Sequence, residues 1–214
     1  MAELILSLDV TERRRALNVA TECAPFVDMI KVGYPLVLST GIDIAGDLKK
    51  IGRPLIADFK VADIPNTNTL ICEETFRSGF DGVIVHGFPG GDSVMACIEV
   101  AKKFGGSCFV VAEMSHPGAV EFYRDHVSER IALLAVQAGA DGIIAPATRP
   151  ERIERLRMIV GRRKIYAPGI GAQGGDLTEV LRHADGVIVG RAIYEAPEPG
   201  KGAEALHKVC HSEE

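Results

Sequence analysis

Asp58, Lys60 and Asp63, in the stretch "LIADFKVADIPNTN" from Leu55 to Asn68, are of a type and spacing that could do chemistry. They follow directly on Leu-Ile-Ala, a run suited to burial, and a charge taken into such surroundings is costly unless paired. Charges of both signs brought together in a dry cleft can act on a substrate. The competing possibility is a strand that surfaces into an ordinary loop. Asp58 and Lys60 stand two residues apart, so on a strand both point one way while Phe59 points the other.

A second group lies further along, in "APGIGAQGGD" and "VIVGRAIY". Glycine-rich turns after late strands of a barrel grip phosphate with backbone N–H groups. Arg191 adds a guanidinium whose fork matches phosphate, and Gln173 can reach the same group from a glycine-rich loop. One such turn by itself is weak; two, with an arginine, point to a phosphorylated substrate.

Elements that would position these groups alternate along the chain. Candidate strands are 4–9, 27–33, 54–60, 81–87, 107–114, 141–147, 164–169 and 185–190. Between them lie helix-length stretches at Thr11–Cys23, Asn66–Ser78, Ser93–Phe104, Val120–Ala138, Arg149–Val160 and Gly175–His183. The strands are near-continuous Val, Ile and Leu, as strands buried on both faces are. Eight strand–helix units in 214 residues point to one α/β domain over 1–214, a (β/α)8 TIM barrel. "FDGVIVHG", "ADGIIAPA" and "ADGVIVGR" echo one another, placing Asp81, Asp141 and Asp185 at strand starts, where a structural role is expected. Functional groups belong at strand ends. Collected there are Asp9 after strand one, Lys31 on strand two, Asp58 and Lys60 on strand three, Ser115 after strand five, Pro168 on strand seven, and Gly190 with Arg191 after strand eight. A salt-bridge network merely capping the barrel is the bland alternative.

Composition sets the class. Hydrophobic content of 47%, charged content of 25% and a net charge of -5 are ordinary for a soluble protein and argue against nucleic acid or an anionic membrane as partner. Arg13–Arg15 and Arg162–Lys164 read as solvated faces. Five scattered cysteines without a C-x-x-C suit a reducing cytoplasm. The N-terminus has no signal-peptide pattern, no apolar run reaches membrane-spanning length, and "CHSEE" is expected to fray. His86 and His116 lack metal-ligand spacing and read as structural or site-lining; Ser115 has no evident base to make it a nucleophile. Arg149 is expected to start the sixth helix.

Together the motifs resemble the orotidine 5′-monophosphate decarboxylase family in its compact archaeal form. The matches are "SLD", "IKVGYPLVL", "ADFKVADIPNTN", "VHGFPG", "EMSHPGA", "PGIGAQGGD" and "VGRAIY", in family order from residue 4 to about 195. Ala147 departs from the family, whose members often carry Ser there. The resemblance implies decarboxylation of orotidine 5′-monophosphate to uridine 5′-monophosphate with no metal or organic cofactor. It implies a cytoplasmic homodimer in which Asp63 and Thr67 cross into the neighbouring subunit's site, completing a network of Lys31, Asp58, Lys60 and Asp63. Without it, Asp63 or Thr67 reads as a helix N-cap. By the same resemblance, Lys60 stabilises and protonates the carbanion and Asp58 faces the departing carboxylate. Asp9, Lys31 and Thr67 hold ribose hydroxyls, Ser115 reads the pyrimidine edge, and Gln173, Gly190 and Arg191 clamp the phosphate.

Two other readings compete. Magnesium-dependent decarboxylases and aldolases of keto-sugar phosphates share D-x-K-x-x-D but typically carry Glu as a metal ligand at the end of strand two, where this chain has Lys31. A catalytically silent nucleotide-binding barrel would need no lysine between two acids.

Overall fold

The computed structural model describes residues 1–123, 126–171 and 176–212. Its strands are β1 (Glu3–Ser7), β2 (Met29–Gly33), β3 (Leu55–Val61), β4 (Gly82–His86), β5 (Ser107–Val111), β6 (Gly142–Ile144), β7 (Lys164–Pro168) and β8 (Gly186–Val189). Each pairs in parallel with the next, and β8 pairs with β1, so the sheet closes into the expected (β/α)8 barrel. Around it run α1 (Arg13–Cys23), α2 (Tyr34–Thr40), α3 (Ile44–Lys49), α4 (Pro65–Arg77), α5 (Gly91–Phe104), α6 (Val127–Ala138), α7 (Pro150–Val160), α8 (Leu177–Leu181), α9 (Arg191–Tyr194) and α10 (Pro199–His211).

Alternation along buried strands makes two apolar layers. Ile5, Ile56, Ile84, Phe109, Ile144, Tyr166 and Ile188 fill the barrel. Leu4, Leu6, Ile30, Val32, Val83 and Val187 face outward, under the helices. Each such side chain contributes roughly 1.5–3 kcal/mol relative to exposure. Tyr166 satisfies its buried hydroxyl by donating to Glu3 Oε2 at 2.7 Å.

At the strand starts one device recurs. Asp81, Asp141 and Asp185 accept hydrogen bonds from Leu55 N, Cys108 N and Ile165 N, each at 2.8 Å. Asp28, before β2, does the same for Leu4 N at 2.7 Å. A carboxylate just before every even strand thus satisfies the amide of the first or second residue of the odd strand before it, consistent with the structural role expected of the Asp-Gly pairs. Asp28 completes the set without a following glycine.

Several boundaries differ from the sequence reading. β1 stops at Ser7 and β5 at Val111, so Asp9 and Ser115 lie in the following loops. The stretch read as one helix over 120–138 comprises a 3-10 turn at Pro117–Glu121 and α6, while α8 occupies only the middle of 175–183. The short helices α2, α3 and α9 and the longer α10 were not singled out. The expected fraying of "CHSEE" is not borne out at Cys210 and His211. Both belong to α10, Cys210 is buried, and its carbonyl accepts from Ala2 N at 2.9 Å.

Candidate active site

Neighbouring strands β1, β2 and β3 deliver the charges to one end of the barrel. Lys31 pairs in register with Ser7 on one side and Ile56 on the other, and Gly33 pairs with Asp58. Lys31 is only 5% exposed, and its Nζ lies 2.6 Å from Asp58 Oδ2. Lys60 Nζ donates to the other oxygen, Asp58 Oδ1, at 2.7 Å. Asp9 Oδ2 stands 3.9 Å from Lys31 Nζ and accepts from Ser7 Oγ at 2.7 Å. The result is a chain of alternating sign, Asp9–Lys31–Asp58–Lys60.

Burial alone would push the Asp58 carboxyl up, but Lys31 and Lys60, bonded one to each oxygen, hold it below the usual carboxylate range. Charges 4 Å apart interact by about 1 kcal/mol in water and about 4 kcal/mol at an effective dielectric of 20, so partial burial gives this network its force.

Lys60 reaches its position through an irregular backbone. The β3–β4 register shifts between Ala57 and Val61, and Lys60 has φ of 45°, in the left-handed region. That conformation costs a non-glycine residue about 1–2 kcal/mol. The bulge aims the ammonium at Asp58 while Phe59 packs outward between Tyr34 and Phe80, with ring centroids at 5.2 and 5.6 Å.

These groups line one wall of a cavity of about 240 Å³. Ile84, Val111, Ile144 and Ile188 give it an apolar floor. Ser115, Pro168, Gly190 and Arg191 also line it. Arg191 is exposed and makes no ion pair among the described residues. Gly33 makes room for Asp9: a Cβ there would meet Asp9 Oδ1 at 2.5 Å. Gln173 lies outside the described residues.

Asp63 and Thr67 do not line this cavity. Asp63 is exposed; its carboxylate accepts from Ile64 N at 2.7 Å and its N donates to Asn68 Oδ1 at 3.0 Å. The N-cap reading fails for both residues. Ile64 occupies that position with no side-chain bond, Pro65 opens α4, and Thr67 lies within the first turn. The tie is made instead by Asn68, which also donates to Ser93 Oγ at 2.7 Å.

His86 and His116 also stay outside the cavity. The His86 Nδ1 is buried with no partner among the described residues, and burial, together with nearby Lys60, pushes its pKa down. No group of three or more His, Cys, Asp or Glu is placed to hold a metal ion among the described residues.

One functional feature escaped the sequence reading. Glu113, 2% exposed and bordering the cavity, accepts from Arg149 Nε and Arg152 Nε at 2.8 Å and from Ser128 Oγ at 2.6 Å. Arg149, immediately before α7 as expected, also donates to Met114 O, and Thr148 Oγ1 donates to Ser115 O at 2.9 Å. The loop bearing Ser115 is therefore fixed from the end of β6. The available signal was a glutamate straight after "FVVA", the same cue that singled out Asp58. At Ala147 the backbone N–H donates to Pro168 O at 2.9 Å.

Comparisons with known proteins identify the family and the fold. The family model described as "Orotidine 5'-phosphate decarboxylase / HUMPS family" matches residues 2–206. A relative named orotidine 5'-phosphate decarboxylase from Methanosarcina mazei is 58% identical over 212 residues, 98% of this chain and 96% of its own. One of the same name from Methanococcoides burtonii is 56% identical over 209 residues, 97% of this chain and 95% of its own. The crystal structure of orotidine 5'-monophosphate decarboxylase from Methanocaldococcus jannaschii, complexed with inhibitor BMP, superposes with a TM-score of 0.95 at 45% identity, covering 99% of this chain and 100% of that one. With its closed barrel, its charged mouth and relatives matched over nearly their full length, the chain belongs to the orotidine 5′-phosphate decarboxylase / HUMPS family.

Proposed function

We propose a cofactor-independent route for the orotidine 5′-phosphate decarboxylase activity of this chain, with Lys60 at its centre. The observation that carries it is the alternating Asp9–Lys31–Asp58–Lys60 network on the wall of a cavity with an apolar floor. The bond from pyrimidine carbon 6 to the carboxylate breaks, its electron pair stays on that carbon, and CO2 leaves. No neighbouring carbonyl readily delocalises the pair, so the protein must stabilise it. The Lys60 ammonium does so electrostatically and then transfers a proton to carbon 6, giving uridine 5′-monophosphate. Asp58 holds Lys60 in place through their ion pair and faces the departing carboxylate. Lys31, bonded to Asp58, keeps that carboxylate ionised when substrate excludes water.

Substrate binding divides around the same mouth. Asp9 and Lys31 take ribose hydroxyls, and Ser115, on its braced loop, reads the pyrimidine edge beside Pro168. Gly190 and Arg191, with Gln173, take the phosphate; an exposed guanidinium with no ion pair among the described residues suits that role. Binding energy at the phosphate, remote from carbon 6, can be spent on the transition state. Asp63 and Thr67, lying away from this chain's own cavity, act in the site of a second copy, making the enzyme a homodimer. All of this rests on one barrel domain in a cytoplasmic enzyme that needs neither nucleic acid nor membrane; no helix among the described residues is long and apolar enough to cross one.

The rival reading, magnesium-dependent chemistry on keto-sugar phosphates, is disfavoured by Lys31. Its ammonium lies against Asp58, and a divalent cation there would be repelled. A non-catalytic nucleotide-binding barrel would bind pyrimidine nucleotide without turnover. The test is loss of orotidine 5′-monophosphate absorbance with purified protein before and after exhaustive EDTA treatment. Turnover that survives chelation is expected. Turnover abolished by EDTA and restored by magnesium contradicts the route, and tight nucleotide binding without turnover contradicts the activity.

A further inference from the structure

We propose that Ser7 is a positioning residue for the ribose site: its hydroxyl holds Asp9 away from Lys31 and keeps open the gap that a substrate hydroxyl fills. The inference deepens the reading above and rests on it. Ser7 is the last residue of β1, 7% exposed, and lies on the cavity wall directly across the ladder from Lys31. Its Oγ donates to Asp9 Oδ2 at 2.7 Å. The other carboxylate oxygen, Oδ1, backs onto Gly33, where even a Cβ would lie only 2.5 Å away. Ser7 therefore holds one carboxylate oxygen, and the bare backbone of Gly33 gives the other its room.

What this pinning does is visible in the distances. Lys31 Nζ is in full contact with Asp58 at 2.6 Å but 3.9 Å from Asp9 Oδ2, beyond hydrogen-bond range. An ammonium and a carboxylate free to approach one another close to about 2.8 Å. The space left is of a useful size. A hydroxyl that accepts from Lys31 and donates to Asp9, through two bonds of about 2.8 Å meeting near a right angle, spans about 3.9 Å. Without the Ser7 hydroxyl, Asp9 is free to turn onto Lys31. The direct pair then competes with the substrate hydroxyl and draws Lys31 from Asp58.

The experiment measures KM and kcat for orotidine 5′-monophosphate, and inhibition by uridine 5′-monophosphate and its 2′-deoxy and 3′-deoxy forms, in wild type, Ser7→Ala and Ser7→Thr. Ser7→Ala is expected to raise KM and the uridine 5′-monophosphate inhibition constant about fivefold, the scale of one lost hydrogen bond, and to raise KM by more than it lowers kcat. The penalty should largely vanish for the deoxynucleotide that lacks the bridging hydroxyl, and Ser7→Thr should restore wild-type values. A penalty equal for all three nucleotides, confined to kcat, or absent, overturns the inference. Ser7→Cys, a similar volume with a weaker hydrogen bond, gives the same comparison if Ser7→Ala does not fold. A wild-type enzyme that neither turns over nor binds these nucleotides overturns the substrate reading, and the inference with it, before any variant is compared.

Discussion

Asp58 is shared by two ammonium groups, and this makes it a structural as well as a chemical residue. Asp58→Asn leaves Lys31 buried without its countercharge, so a loss of about 3 kcal/mol at pH 7 is expected in urea unfolding. The pH dependence carries a definite sign. The folded carboxyl is held below its ordinary value, so its contribution is fully present above the ordinary aspartate range, near pH 4, and is lost as pH falls through the lower folded value. The wild type should lose stability on acidification that Asp58→Asn does not; equal losses in the two proteins contradict the pairing. This pair was legible in the sequence because a charge following a buried run demands a partner. Glu113 gave the same cue, but its partners Arg149 and Arg152 stand 36 and 39 residues away, and the pairing of β5 with β6 brings them together.

Strand β3 shows what periodicity captures and what it misses. The two-residue spacing gave the correct common direction of Asp58 and Lys60, yet the bulge and the left-handed Lys60 leave no mark in residue types. The strain yields a clean comparison. Lys60→Gly and Lys60→Ala lose the same ammonium, and glycine normally weakens a strand relative to alanine. At φ of 45° the order should reverse, with Lys60→Gly more stable than Lys60→Ala by about 1 kcal/mol in thermal or urea unfolding. Alanine as stable as glycine, or more so, would mean the backbone relaxes once the side chain is gone. Strand ends were read too long at β1, β5 and β6 because apolar character outlasts ladder pairing. The short helices α2, α3 and α9 are set by the strand–helix connections, not by an amphipathic repeat long enough to see.

The barrel divides its labour between two ends. Asp28, Asp81, Asp141 and Asp185 satisfy strand amides where strands begin, and the alternating charges gather where β1, β2 and β3 end. Eight strands were countable because burial on both faces leaves continuous Val, Ile and Leu. What lies beyond one chain could be read only from the family resemblance: Asp63 and Thr67 do not line the cavity that their own chain forms. In the proposed homodimer each site takes Lys60 from one subunit and Asp63 from the other. The measurement that tests this most directly is turnover of orotidine 5′-monophosphate, in EDTA, by Lys60→Ala and Asp63→Ala chains, alone and after unfolding and refolding together. Each alone should be nearly inactive, and an equal mixture should recover about one quarter of wild-type activity, since half of the dimers would carry one intact site. Substantial turnover by Lys60→Ala alone, or a mixture as inactive as its components, would contradict the account.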